Sequence, residues 1–131
     1  MLTIAGIDHV VLRVRDIDAA LAFYRDVLGC PVDKHNEPLG LYHLRAGDSL
    51  IDLVTLDGKL GLAGGAGPGV EGRNVDHICL RLRDYDPDAT VAHLNACGVA
   101  HEAPVERYGA GGDARSIYLK DPDGNGIELR G

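Results

Sequence analysis

At 131 residues, with 45% hydrophobic and 25% charged side chains, the chain has the size and composition of a single globular domain, neither disordered nor fibrous. A formal charge of −7 without any Lys/Arg cluster makes contact with nucleic acid or an anionic membrane repulsive, and no apolar run is long enough to span a bilayer, so a small-molecule partner and a cytoplasmic location are expected. Cys30, Cys79 and Cys97 are odd in number and lack CxxC spacing, which predicts reduced, mostly packed thiols rather than a disulfide framework or a zinc knot.

In chain order, His9 to Val14 reads as a strand with His9, Val11 and Arg13 on one face and Val10, Leu12 and Val14 on the other. Asp16 or Asp18 is placed to cap a helix whose apolar face includes Leu21, Phe23, Tyr24, Val27 and Leu28, and Gly29 fits its stop. Strands are then predicted over Pro31 to His35, Leu41 to Arg45 and Ser49 to Thr55, with Ala46-Gly47-Asp48 as the tight turn before the last. The glycine-rich stretch 58–73 offers little to pack and reads as a linker and candidate lid. Beyond it the order returns: strand Val75 to Leu82, helix Pro87 to Cys97 ended by Gly98, then strands Val99 to Arg107, Arg115 to Lys120 and Gly126 to Leu129. The fold class is thus α+β, two tandem βαβββ modules over about 5–57 and 74–131 forming cupped mixed sheets. Arg107 to Arg115, rich in glycine but followed by neither Gly-Lys-Ser/Thr nor a helix, reads as a flexible active-site loop rather than a phosphate cradle.

The return is literal in places. Ile7-Asp8-His9-Val10-Val11-Leu12-Arg13-Val14-Arg15-Asp16 recurs as Val75-Asp76-His77-Ile78-Cys79-Leu80-Arg81-Leu82-Arg83-Asp84, a shift of 68 residues. Aligning Leu50-Ile51-Asp52-Leu53 with Gly126-Ile127-Glu128-Leu129 makes the two acids equivalent, just as His9 is equivalent to His77. Because side chains alternate along a strand, both carboxylates are expected to point away from the apolar layer of Ile51, Leu53, Ile127 and Leu129. Two imidazoles and two carboxylates suit one divalent ion, Zn, Ni, Co, Mn or Fe, with open positions for water or substrate. Asp8 and Asp76 read as solvated or capping groups on the outer face. His35, His43, His93 and His101 have no repeat partner, and of these His43 is the one whose strand neighbours Asp52. Arg13, Arg81 and Arg130 share strand faces with the ligands and are candidates for anion binding or for rim salt bridges. Ser116 and Tyr118 share a strand face and are candidate donors to substrate, together with Arg13 and His43.

The paired Asp-His-hydrophobic strands, the helical Ala-Phe-Tyr-Arg-Asp-Val-Leu-Gly and the terminal Tyr-Leu-Lys-Asp-Pro-Asp-Gly-Asn-Gly-Ile-Glu-Leu resemble the vicinal oxygen chelate superfamily over nearly the whole chain. The resemblance implies a glyoxalase-like fold with metal ligands at His9, His77 and Glu128. Asp52 stands where a Glu or Gln usually supplies the fourth ligand, and is one methylene shorter than Glu. It further implies a metal-dependent lyase or isomerase moving a proton beside two chelating oxygens, with Glu128 the first candidate base and Asp52 the second. The alternatives are an extradiol-type Fe(II) dioxygenase using the same two histidines and one carboxylate, a fosfomycin-type transferase, and a non-catalytic antibiotic-binding protein. No convincing match to glutathione-anchoring residues is present, so no substrate is named. Members of this length usually form homodimers, which the unpaired edges of each module also suggest.

Overall fold

A computed structural model describes all residues, Met1–Gly131, as two compact units, Met1–Pro68 and Gly69–Gly131. In the first, β1 (His9–Val14) leads to α1 (Ile17–Leu21), then β2 (Val32–Asn36), β3 (Leu41–Ala46) and β4 (Ser49–Thr55), and α2 (Lys59–Ala63) follows. The strands form a mixed sheet of order β1-β4-β3-β2, with β1 parallel to β4 and the other pairs antiparallel. In the second, β5 (His77–Arg81), α3 (Pro87–Ala96), β6 (Val105–Gly109), β7 (Gly112–Lys120) and β8 (Gly126–Arg130) repeat the plan, in the order β5-β8-β7-β6. Each unit is the expected βαβββ module. In both, the carboxylate-bearing strand lies inside the sheet beside the histidine-bearing one.

Local chemistry explains the frame. Asp16 accepts from the backbone N–H groups of Asp18 and Ala19, and Asp86 does the same for Asp88 and Ala89, so each helix starts on an aspartate cap contributing about 1 kcal/mol. Asp121 ties the β7–β8 turn through Oδ1 to the N–H groups of Asp123 and Asn125 and through Oδ2 to the Asn125 amide, while Gly124 takes the positive φ of 84° that the turn requires. That turn fixes the register that presents Glu128. Leu12, Val14, Tyr24, Leu44, Ile51 and Leu53 fill the core of the first unit, and Leu94, Ile117, Leu119, Ile127 and Leu129 that of the second. Each such side chain contributes roughly 1.5–3 kcal/mol on burial.

Several elements depart from the sequence reading. The first helix turns α-helical only to Leu21 and widens into a π-helical stretch over Ala22–Val27, with Leu28 N–H donating to Phe23 O. The wider turn accompanies two successive inward aromatics, Phe23 and Tyr24, packed edge-on with centroids 5.1 Å apart. The glycine-rich stretch is not featureless: α2 forms within it, Gly61 packing so closely that a Cβ there would lie 2.0 Å from Thr55 O. Strand Val99–Arg107 shrinks to Val105–Gly109, preceded by a lone bridge from His101 to Leu119, because Pro104 has no N–H to give to a ladder. The expected loop at Arg107–Arg115 is instead a hairpin: Arg107 pairs with Ala114 and Gly109 with Gly112, leaving Ala110 and Gly111 as the turn. Of the three thiols only Cys30 is fully buried; Cys79, partly desolvated, and Cys97 are exposed.

Candidate metal and substrate site

Each unit carries the same small device. In the first, His9 Nδ1 lies 2.7 Å from Asp8 Oδ1; in the second, His77 Nδ1 lies 2.8 Å from Asp76 Oδ1. Fixing Nδ1 on a carboxylate sets the tautomer and leaves Nε2 as the free lone pair, the arrangement usual behind a metal-bound imidazole. The partnership pushes the His9 pKa up, through the hydrogen bond it donates to Asp8 first and the charge of Asp52 as a smaller cause, and it pulls the Asp76 carboxyl down. Asp8 and Asp76 are solvated as expected, and each in addition holds the Nδ1 of its neighbouring histidine. The repeated Asp-His dipeptide was the available signal.

The two carboxylates are almost withdrawn from solvent, Asp52 at 4% exposure and Glu128 at 5%. The sequence placed them away from the apolar layer; in fact β4 and β8 are internal strands covered on both faces, since Val54 is buried beside Ile51 and Leu53. Burial of a carboxylate is tolerated only with partners, and each has them. Asp52 Oδ1 lies 2.8 Å from His43 Nδ1, its register neighbour on β3. Glu128 Oε1 accepts the Ser116 hydroxyl in a very short hydrogen bond, and its Oε2 lies 3.3 Å from His77 Nε2. Register places Cys79 and Tyr118 on either side of Glu128. The Tyr118 ring meets His77 edge-on at 6.0 Å, and the Cys79 thiol and Tyr118 hydroxyl both have raised pKa values, from burial first and the Glu128 charge next.

Within the first unit the predicted residues His9, Asp52 and His43 thus belong to one neighbourhood, and within the second His77, Glu128, Ser116 and Tyr118 do. Neither unit by itself gathers three or more His, Cys, Asp or Glu side chains in a metal-holding group. Ser116 is fully buried and its hydroxyl is given to Glu128, so it acts on the carboxylate rather than on a substrate as expected. Arg13 likewise turns to the backbone, donating to the carbonyls of Gly64, Gly65 and Ala66 and holding the expected lid against the first unit. A cleft of about 480 Å³ in the second unit is lined by His77, Tyr118, Arg73, Lys120 and His101 among others.

The model of the Glyoxalase/Bleomycin resistance protein/Dioxygenase superfamily matches residues 6–129. The chain belongs to that superfamily. It is 34% identical over 125 residues to the virulence protein STM3117 of Salmonella typhimurium, covering 94% of this chain and 81% of that protein. The crystal structure of STM3117 superposes with a TM-score of 0.79 at 31% identity, over 98% of each chain. A Vibrio cholerae integron cassette protein gives the same TM-score at 32% identity, over 99% of this chain and 97% of that one. Lactoylglutathione lyase of Agrobacterium tumefaciens follows at 0.70 and 26%, over 98% and 94%. The glyoxalase-like fold read from the repeat is therefore that of solved superfamily members.

Proposed function

We propose that the protein is a divalent-metal-dependent lyase or isomerase of glyoxalase type, acting on a small molecule that presents two adjacent oxygens. The observation that carries the reading is the duplicated Asp–His pair beside a buried carboxylate, with His77 Nε2 and Glu128 Oε2 already 3.3 Å apart. The donor chemistry fits a divalent ion: two imidazoles whose Nδ1 atoms are occupied, and two buried carboxylates each braced by a neighbour. His9, His77 and Glu128 would hold it, with Asp52 as the fourth group, and Zn, Ni, Co, Mn or Fe all suit such donors. When bound, the ion supplies Lewis-acid stabilisation of charge developing on the substrate oxygens.

The chain's own groups do the rest. Asp8 and Asp76 orient the imidazoles, and Ser116 holds Glu128 in one rotamer. Glu128 is the proton acceptor at the substrate carbon, and Asp52 is the second candidate. Tyr118, whose hydroxyl interacts with Glu128 and Arg107, is the candidate donor to a substrate oxygen. The Agrobacterium relative is itself named for lyase activity. We further propose that the protein works as a homodimer in the cytoplasm, the outer strands of each sheet being the unpaired edges that association would cover; light scattering at micromolar concentration reads this, a monomer overturning it.

The test is elemental analysis of purified protein and of His77→Ala, followed by solvent-deuterium exchange into α-hydroxycarbonyl and thioester substrates with each divalent ion in turn. Bound metal lost in His77→Ala and deuterium in the substrate carbon support the reading. Unchanged metal content in the variant overturns the ligand set. Oxygen uptake with Fe²⁺ and a catechol would replace proton transfer by the dioxygenase reaction, and drug binding without metal or turnover would replace both by sequestration.

A further inference from the structure

One residue pair in the second unit is unaccounted for by the metal chemistry. Arg81 on β5 and Arg130 on β8 are direct register partners, one pair beyond Cys79 and Glu128 on the same face. Two residues along a strand is roughly 6.6 Å, so the guanidinium groups start about that far from the proposed metal ligand. Like charges directly opposed across a ladder are destabilising. Neither arginine has a carboxylate partner: Arg130, only 5% exposed, makes a single hydrogen bond, from Nη2 to Gly112 O, and Arg81 is exposed and makes none. Alternation puts Arg107, whose guanidinium stands 5.9 Å from the Tyr118 ring centre, on this face too, and turns Glu106 and Asp113 to the other.

The neighbouring hairpin is shaped around the pair. A Cβ on Gly109 would lie 2.1 Å from Arg130 Nη1, and one on Gly111 would lie 2.9 Å from an Arg81 Nη atom. Glycines at both positions leave room for two guanidinium groups that any side chain would displace. The first unit supplies the contrast. There the equivalent arginine, Arg13, is opposite Val54 rather than a second arginine, and it is satisfied by three backbone carbonyls. In a chain with formal charge −7, the second unit alone concentrates unneutralised cation at one place beside Glu128.

We propose that Arg81 and Arg130 form an oxyanion-binding subsite that takes a carboxylate or phosphate group of the substrate. Two planar forks side by side match the oxygens of such a group, and binding it removes the repulsion between them. This deepens the reading given under Proposed function and rests on it for the identity of the ligand as substrate. It narrows the substrate class to small molecules carrying an anionic group on the far side of the reacting carbon from the metal ligands.

Isothermal titration calorimetry of chelator-treated, dialysed protein with inorganic phosphate and, separately, malonate tests the subsite without any metal. Arg81→Gln is the informative variant because its side chain is exposed, and Arg83→Gln, an exposed arginine two residues on, is the control for general charge. Expected is saturable binding of at least one anion, weakened tenfold or more in Arg81→Gln and unchanged in Arg83→Gln. Absence of saturable binding by either anion, retention of it in Arg81→Gln, or an equal loss in Arg83→Gln overturns the assignment. Elemental analysis of the untreated protein keeps the two readings apart. Anion binding without bound metal sustains the subsite and sinks the metal centre, and bound metal without anion binding does the reverse.

Discussion

Ser116→Ala is the sharpest probe of how the sheet prepares Glu128. The serine is fully buried, the glutamate is 5% exposed, and the hydroxyl donates to Oε1 across adjacent strands. Removing one oxygen leaves the side-chain volume nearly unchanged, so the cost is that of a buried carboxylate deprived of a charge-assisted donor, about 1.5–3 kcal/mol. Burial of both partners places it in the upper half of that range, about 2–3 kcal/mol. For a chain of 131 residues a loss of that size lowers Tm by roughly 6–15 °C. The assay is a denaturant and thermal melt of wild type, Ser116→Ala, Glu128→Gln and the double variant. In the Gln background the serine donates to a neutral acceptor, whose bond is worth only about 0.5–1.5 kcal/mol, so the coupling should be about 1.5 kcal/mol. A cost below about 0.5 kcal/mol, or an equal cost in both backgrounds, would refute the argument, because the hydroxyl would then be packing material and not a brace.

Gly61→Ala drives a methyl against the backbone of Thr55 and Leu56 and should lower stability by about 1–3 kcal/mol, read as a reduced urea midpoint at constant m. The Cys79 thiol, raised by burial first and by Glu128 next, should alkylate slowly at neutral pH; Glu128→Gln removes the second cause, and the midpoint of the iodoacetamide rate profile should move down. Asp76 has its folded pKa below the ordinary value of 3.8 through His77, so its contribution is present above the unfolded value and lost as pH falls through the lower folded one. Asp76→Asn should accordingly flatten the acid limb of stability against pH, and an unaltered limb would show the pair to be inert. In metal titrations Glu128→Gln should weaken affinity at least tenfold more than Asp52→Asn, and a reversed order would mean that the shorter acid is the principal ligand.

That His77 lies beside Glu128, and that the charge of Asp52 reaches His9, was legible because duplication exposes it: a residue type that returns at the same strand position twice stands out from single histidines and acids. Alternation along β1 was legible for the same elementary reason, and Leu12 and Val14 are fully buried as it requires. What stayed hidden depends on contacts that periodicity does not encode. A five-residue helix in Lys59–Ala63 gives too short a window for a helical period, and its formation turns on Gly61 seating against Thr55. The hairpin at Gly109–Gly112 looked like a loop because glycine composition signals backbone freedom, whereas here it makes space for arginine side chains. The aspartate-to-imidazole bonds hinge on side-chain rotamers, so Asp8 and Asp76 read only as polar groups beside their histidines.

The two units diverge at the positions where equivalence is otherwise strictest, and the divergence assigns them different work. Across the sheet from Asp52 stand Val11 and His43; across from Glu128 stand Cys79 and Tyr118. His43 takes one oxygen of an already shorter acid, which leaves Asp52 one oxygen to offer a cation. Glu128 receives the neutral Ser116 hydroxyl on Oε1, has the neutral Cys79 and Tyr118 groups beside it, and keeps Oε2 turned toward His77. One step further along, Arg13 is consumed by the carbonyls of the glycine-rich stretch, while Arg81 and Arg130 remain uncompensated. Each difference removes reactive capacity from the first unit and retains it in the second. Duplication supplied two copies of an imidazole–carboxylate pair, and the neighbours of each acid make the copies chemically unequal: an imidazole on Asp52, a hydroxyl on Glu128.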